Sequence, residues 1–566
     1  MVNKMNARRR SLQRLFISLL ALVALNIAAQ YFFYRLDLTA EKRYTLTSAT
    51  IEDLKKLDDN VYIKCYLKGE FPGGFRQLQR STKEMLDAFV GVAGKKIKYD
   101  FINPSEGNAT QKEELRKQLE KKGINPINLN LQGEDNYKEQ IIYPWCVISY
   151  KDMEYPVFLL NQQLGKSSSE QLNNSEALLE FNLIQGIHRL TNNKNRKKIA
   201  ISEGNGEMSD PQMYDFIQTL SLDYDVARAN INQLLFIPDK VDALVIPKPT
   251  KPLSEQTKFK IDQYIMHGGK VLWLIDQLDG DVDSLRTRNE YIAPDYALNL
   301  DDQLFSYGVR VNRALLQDKL CAPIPMVTGY DQASNPRTSF FPWMYFPVIM
   351  PDGTHPIVKN MDAILTLFPN FIDTVGGKGI LKTVLLHSSP ASRAVFSPAF
   401  VSLRTLKMQP QASYFTNPNR AVAVLLEGSF TSLYESRLAP ETMGLLDSMN
   451  IKFVPKSMPN KMIVVADGDI VKNPVNKKGV NYPCGYYPFT KTTFANKTFL
   501  LNCVQYLTEG DGVIAARSKE IKLRILDREK VRNEKNFWIW MNLAVPIALL
   551  LLVGFVITVW RERRYK

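Results

Sequence analysis

The chain has 566 residues, 45% of them hydrophobic, enough for three or four units of ordinary domain size and a sizeable core. Its formal charge of +14 sits at the ends: residues 1–14 carry +5, 517–535 carry +4 and 561–566 carry +3, leaving about +2 between them. So small a surplus excludes a groove of Lys and Arg for a nucleic-acid backbone.

Residues 1–14, with Lys4, Arg8, Arg9, Arg10 and Arg14, form a basic tail. Residues 15–34 (LFISLLALVALNIAAQYFFY) then hold no charged residue, the length a helix needs to cross a hydrocarbon core about 30 Å thick. A cleaved signal peptide would share the basic start and apolar run. This run, however, continues into Tyr31, Phe32 and Phe33, an interfacial aromatic belt that fits an uncleaved anchor.

Residues 47–60 begin with capping residues and place Ile51, Leu54 and Leu57 on one helical face, ahead of a strand at 61–67. GEFPGGF at 69–75 predicts a turn. A helix over 76–90 with Leu78, Met85, Leu86 and Phe89 inward, a strand at 96–102 and a helix near 111–122 come next. Strands near 141–149 and 155–160 and a helix over 175–190 complete a first α/β unit, 37–190.

A second unit, 197–516, opens with the strand KIAIS at 198–202, the turn Glu203-Gly204-Asn205-Gly206-Glu207 and a helix near 210–220. A strand leading through a glycine turn into a helix is how a doubly wound sheet begins. Buried strands DALVIPKP at 242–249 and KVLWLID at 270–276 flank a helix over 254–267 that ends at Gly268 and Gly269. AVAVLLEG at 421–428, KMIVVADGD at 461–469 and a helix at 496–507 continue the alternation. Between them, 301–406 is rich in Pro and aromatics (FFPWMYFP at 340–347) and reads as an irregular insertion over the sheet.

Residues 517–535 form a charged juxtamembrane stretch, read either as a stalk or as a solvated surface segment. Residues 537–560 are a second uncharged span, bounded by Phe537, Trp538 and Trp540 on one side and Trp560 with Arg561 on the other, with a kinking Pro546 inside. Residues 561–566 are a second short basic tail. The positive-inside rule keeps both tails in the cytoplasm and puts the body outside, in the periplasm of a bacterial inner membrane.

Among possible sites, the turn at 203–207 (Glu203, Gly204, Asn205, Gly206, Glu207) offers backbone N–H groups to an anion or a partner. It lacks the Lys-Ser/Thr pair of a phosphate loop, and its two glutamates would repel phosphate. Asp467-Gly468-Asp469 either sets two carboxylates at a sheet edge for a cation or is an ordinary turn. The five cysteines lack C-x-x-C or Cys/His zinc spacing, so no metal is assigned; they read as free thiols, with Cys65–Cys146 pairing the alternative in an oxidising compartment. His188, His267, His355 and His387 show neither H-E-x-x-H spacing nor a nucleophile motif, so no catalytic residue and no cofactor is assigned.

Several segments together, DLTAEKRYTLTSAT at 37–50, IDQYIMHGGKVLWLID at 261–276, VAVLLEGSFTSLYESR at 422–437, VVADGDIVKN at 464–473 and NKTFLLNCVQYL at 496–507, resemble GldG, the gliding-motility-associated auxiliary component of an ABC transporter in Bacteroidetes. YLKGEFPGGFRQLQRSTKEMLDAF at 66–89 and HPIVKNMD at 355–362 extend the likeness over nearly the whole chain. The resemblance implies a permease partner, GldF, and a separate ATPase, GldA, serving gliding motility and protein secretion. It also implies a second unit similar to Rossmann-like and class I glutamine amidotransferase folds. The chain departs from those enzymes in having no Cys between Cys146 and Cys321, and it lacks the G-x-x-x-x-G-K-[ST] loop that holds ATP.

The expectation is therefore an α/β, non-enzymatic periplasmic subunit held by a helix at each end beside its transporter. The rival is an extracytoplasmic ligand-binding or hydrolase domain built on the Gly204 turn.

Overall fold

The computed structural model describes residues 15–23, 45–518 and 528–565, apart from short stretches within 45–518 such as 133–136, 192–195, 331–335 and 439–443. The fold is mixed α/β with several sheets. It opens with the helix Ser48–Lys55, whose first turn is closed by the Thr47 hydroxyl accepting from the Thr50 N–H at 3.3 Å. β1 (Val61–Cys65) follows, and a helix, Gly73–Ala93, leads to β2 (Ile97–Phe101). β3 (Trp145–Tyr150) and β4 (Met153–Phe158) complete a four-stranded sheet of order β2-β1-β3-β4, parallel between β1 and β2 and antiparallel elsewhere. Cys65 and Cys146 face each other across β1 and β3, both buried and both free thiols.

The turn expected at 69–75 is in part helix. Pro72 caps it, and Gly73 and Gly74 form its first residues. A Cβ on Gly74 would lie 2.4 Å from Leu172 Cδ1, so the glycine lets the helix Ser168–Thr191 pack against this end. A hairpin of Ile127–Gln132 and Tyr137–Ile142 fills the stretch between the helix expected near 111–122 and the strand expected near 141–149, where no strand was expected.

The larger sheet draws on β5 (Lys198–Glu203), β6 (Asp225–Asn230), β7 (Ala243–Pro247), β8 (Lys270–Leu274), β9 (Val309–Val311), β10 (Ile372–Thr374), β11 (Ile380–His387), β12 (Ala421–Gly428) and β13 (Asn460–Val465). Its order is β9-β10-β12-β13-β8-β7-β5-β6, with β11 also paired to β12. From β13 to β6 the strands are parallel, and β12 joins β13 antiparallel.

The parallel strands are near-continuous apolar runs because both faces of the sheet are covered. Successive side chains alternate between two cores, as a strand period of two requires. Leu272, Leu274, Ile463, Val465 and Val245 join Phe499, Leu500 and Val504 of the helix Asn496–Glu509. Val271, Trp273, Met462, Val464 and Ile246 join Ile261, Tyr264 and Ile265 of the helix Glu255–Met266 on the opposite face. The first of these cores continues without a break into Val61, Ile63, Leu86 and Ile148 of the smaller sheet and its helices.

The stretch 301–406 differs from its irregular reading. It contributes β9, β10 and β11 to the large sheet and carries the long hairpin of Cys321–Tyr330 with Pro336–Ile349. Pro323, Pro325, Pro342 and Pro347 lie inside these two strands, so proline here interrupts the pattern without ending the pairing.

Described by itself, the C-terminal unit is the helix Arg528–Tyr565 with Pro546 inside it. Within it Arg532–Arg563 is, among the described residues, the helix long and apolar enough to cross a membrane. Of the first expected span, 15–23 are helical and exposed, and 24–34 lie outside the described residues, as do the tail 1–14 and the part of the expected stalk from 519 to 527. Arg517 belongs to the body: it is buried, its Nε donates to the Lys359 carbonyl at 3.1 Å, and its guanidinium lies over the Phe181 ring.

Candidate functional site

Three neighbouring parallel strands deliver charged residues to one edge of the large sheet. Leu274 of β8 is in register with Pro247 of β7 and with Val465 of β13. Asp276 and Asp467 each stand two residues past the paired Leu274 and Val465, and Lys248 stands one residue past Pro247. Adjacent strands lie about 4.8 Å apart, so this register alone brings the side chains together at the carboxyl ends of the strands. That edge is where open α/β sheets bind ligands.

Asp276, Asp467 and Asp469 are all buried, and each offers a carboxylate oxygen within 4.8 Å of the others. The Lys248 ammonium lies 3.0 Å from Asp276 Oδ2 and 2.5 Å from Asp469 Oδ2. Asp276 Oδ1 accepts the Gly468 N–H at 2.7 Å. Asp467 Oδ2 accepts the Leu367 N–H at 3.0 Å, while its Oδ1 is buried without a hydrogen-bond partner among the described residues. Gly468 is needed here because a Cβ would come within 2.6 Å of Lys248 Cβ. Lys248 itself holds a left-handed backbone, φ 50°, which tilts its side chain out of the strand pattern.

The electrostatics follow from burial. Desolvation pushes Asp276 up to about 6; Lys248 pulls it down and the Asp469 charge raises it again. Desolvation also holds Asp467 well above the carboxylate range, reinforced by the charges of Asp276 and Asp469. Lys248 is held well above its ordinary value because the two carboxylates outweigh the cost of its burial. Beside the cluster a cleft of about 570 Å³ is lined by Lys248, Asp469, Asp279, Phe368, Lys472 and Tyr486. The arrangement can hold a cation, share a proton, or orient a cationic group entering from the cleft. A second cleft of about 700 Å³ lies past the ends of β1 and β2, lined by Tyr66, Lys68, Arg76 and Asn103.

The turn at 203–207 is built differently. Glu207 Oε2 accepts the Asn205 N–H at 2.6 Å and its Oε1 accepts from Ser202 Oγ at 3.0 Å. The Asn205 carbonyl accepts the N–H groups of Thr250 and Lys251 at 3.0 and 2.9 Å, and Gly206 (φ 78°) leaves no room for a Cβ beside Thr250 Oγ1. The Asn205 N–H offered to an anion is thus used by the chain's own carboxylate, and Glu203 is exposed. Gly204 (φ 114°) sits against the side chains of Asn230 and Asn232.

Both acidic residues of the Asp-Gly-Asp step lie in the cluster. Sequence reasoning missed Asp276 and Lys248. The signal was the shared ending of three apolar runs, VIPK, WLID and VVAD, each closing on a charge. The histidines are placed elsewhere: His188 bonds Asp53 at 3.0 Å, His387 bonds Asp352 at 3.0 Å, His267 bonds the Gln263 carbonyl at 2.7 Å, and His355 packs edge-on against Tyr506.

Two family profiles match the chain. One, described as an ABC-type uncharacterized transport system, covers residues 196–503, more than half of the sequence. The other, a domain of unknown function, DUF7088, covers 40–149. No curated protein matches. Among solved structures the chain is similar to one titled mmIFT52 N-terminal domain, at 11% identity and a TM-score of 0.31, over 56% of this chain and 99% of that one. A likeness that loose carries no argument. The profile over 196–503 contains the whole acid cluster and every strand of the large sheet, and by it the chain belongs to the auxiliary family of ABC-type uncharacterized transport systems.

Proposed function

We propose that this accessory subunit of an ABC-type transport system is non-catalytic, anchored in a bacterial inner membrane, and works with its body on the periplasmic side. The observation that carries the reading is the family match over 196–503 in a chain that also bears the apolar helix Arg532–Arg563. Membrane association and partnership with transporter components follow from these two. The finer assignments rest on the likeness to GldG: a permease like GldF, an ATPase like GldA, and a role in gliding motility and secretion. With both tails in the cytoplasm, the intervening body would sit beyond the membrane, on the far side from the ATPase.

Residues 37–190 and 197–516 then act as two α/β units. The second approaches a Rossmann-like, doubly wound design through its block of parallel strands with helices on both faces. A shared core between the sheets favours transmission of force over hinge bending within the body. The rival, a ligand-binding or hydrolase site at the Gly204 turn, is disfavoured by Glu207, which occupies the Asn205 N–H.

The test is purification from native membranes in mild detergent. The subunit reading expects co-elution with a permease and an ATPase, and protease added to intact spheroplasts should cut the body. Elution of the chain by itself, or a body inaccessible to external protease, would refute it.

A further inference from the structure

We propose that Asp276, Asp467 and Asp469 bind one hard divalent cation, of the Mg²⁺, Mn²⁺ or Ca²⁺ class, at the carboxyl edge of the parallel strands. This goes beyond the transporter assignment and holds whether or not that assignment does.

Charge balance is the first argument. Three buried carboxylates face one buried ammonium, Lys248, which bridges Asp276 and Asp469, and a half-exposed one, Lys472, 3.8 Å from Asp469 Oδ1. Buried charges are compensated by partners or by metals, and here the carboxylates outnumber the ammoniums that reach them. A divalent ion supplies positive charge among the carboxylates that Lys248 and Lys472 leave in excess.

The second argument is independent of the count. Asp467 is fully buried, spends Oδ2 on the Leu367 N–H, and leaves Oδ1 with no donor among the described residues, in a carboxylate that reaches within 4.8 Å of those of Asp276 and Asp469. Buried polar atoms seldom go without a partner, so an orphaned carboxylate oxygen among two other carboxylates is a ligand position.

The donor set names the metal class. All three ligands are carboxylate oxygens, with neither Cys nor His in the group, which selects oxygen-seeking cations over zinc or copper. Orientation is built in as well. The Gly468 N–H holds Asp276 Oδ1, and the Asp467-Gly468-Asp469 step carries two ligands on one turn whose glycine lets Lys248 approach. Three protein ligands leave positions for water or for oxygen atoms of a bound molecule, and the adjoining cleft of about 570 Å³, lined in part by Lys248 and Asp469, supplies the space.

The experiment uses the full chain in detergent, stripped with chelator and titrated with Mn²⁺ while the signal of free Mn²⁺ is followed by electron paramagnetic resonance. The expected result is saturation at one Mn²⁺ per chain below about 1 mM, with competition by Mg²⁺ or Ca²⁺. Asp467→Asn should weaken binding at least about tenfold, the loss of one charged ligand. Lys248→Gln, which removes a competing ammonium, should tighten it. Should circular dichroism show that Asp467→Asn does not fold, Asp469→Asn, nearer the cleft, is judged by the same criterion. Absence of saturable uptake below about 1 mM, or ligand variants that bind like the parent, overturns the proposal.

Discussion

Replacing Lys248 by Gln keeps much of the side chain's volume but removes the cation between two carboxylates whose side chains are 3% and 7% exposed. Deleting one partner of a buried ion pair costs about 3–5 kcal/mol, because the surviving charge is left in low dielectric. The cost should depend on pH in a definite direction. Asp276 has its folded-state pKa raised to about 6, so below that value the folded chain takes up a proton before the unfolded chain does, and stability climbs as pH falls from about 6 toward the ordinary 3.8. Without Lys248, Asp276 loses the charge that pulls it down, and its protonation relieves more of the strain. In urea unfolding of the full chain in detergent and EDTA, followed by tryptophan fluorescence, Lys248→Gln should lose about 3–5 kcal/mol at pH 8 and clearly less at pH 5. A variant within about 1 kcal/mol of the parent at pH 8, or an equal loss at both pH values, would refute the view that Lys248 compensates this cluster.

Three further outcomes follow from other sites. His188 is pulled down by burial, but the Asp53 hydrogen bond and the charge of Glu509 outweigh this and raise it above 6.5. Its contribution is therefore complete below pH 6.5 and fades as pH rises through the folded value, so His188→Gln should cost about 1–2 kcal/mol at pH 6 and less at pH 8.5 by thermal denaturation. Glu207→Ala, which frees the Asn205 N–H and Ser202 Oγ, should cost about 1–2 kcal/mol in the same assay. Glu203→Ala, at an exposed position, should stay within about 0.5 kcal/mol and leave complex assembly unchanged in a pull-down, whereas loss of function with assembly intact would revive the ligand-loop reading.

Much of the strand content was legible because buried parallel strands are written as unbroken apolar runs. AVAVLLEG at 421–428 coincides with β12, and DALVIPKP and KVLWLID contain β7 and β8. Helix starts were legible where a side chain caps them, as Thr47 and Ser254 do. Proline and glycine misled in two places. At Pro72-Gly73-Gly74 they open a helix, the last glycine serving a close contact with Leu172. Within 301–406 the strands are held by distant partners, such as Ala421 opposite Ile372, and proline-bearing positions sit at hairpin strands. The acid cluster was half legible. Asp467 and Asp469 announce themselves as a pair, but nothing local links them to Asp276, because that proximity comes only from the order in which β8 and β13 pair. Lys248 was hidden for the same reason, and also because its left-handed backbone is a property of the folded turn.

The placement of β13 in the middle of the large sheet bears on how the protein is made. β8 lies beside β7 close in sequence, but its other side remains an open, largely apolar edge until β13 emerges. At about 5–20 residues per second, the ribosome needs on the order of 10–40 s to add the roughly 190 residues between them. Throughout that interval the nascent chain presents an unsaturated strand that invites foreign pairing. A chaperone that covers this edge, or export of the segment in an extended form, removes the hazard.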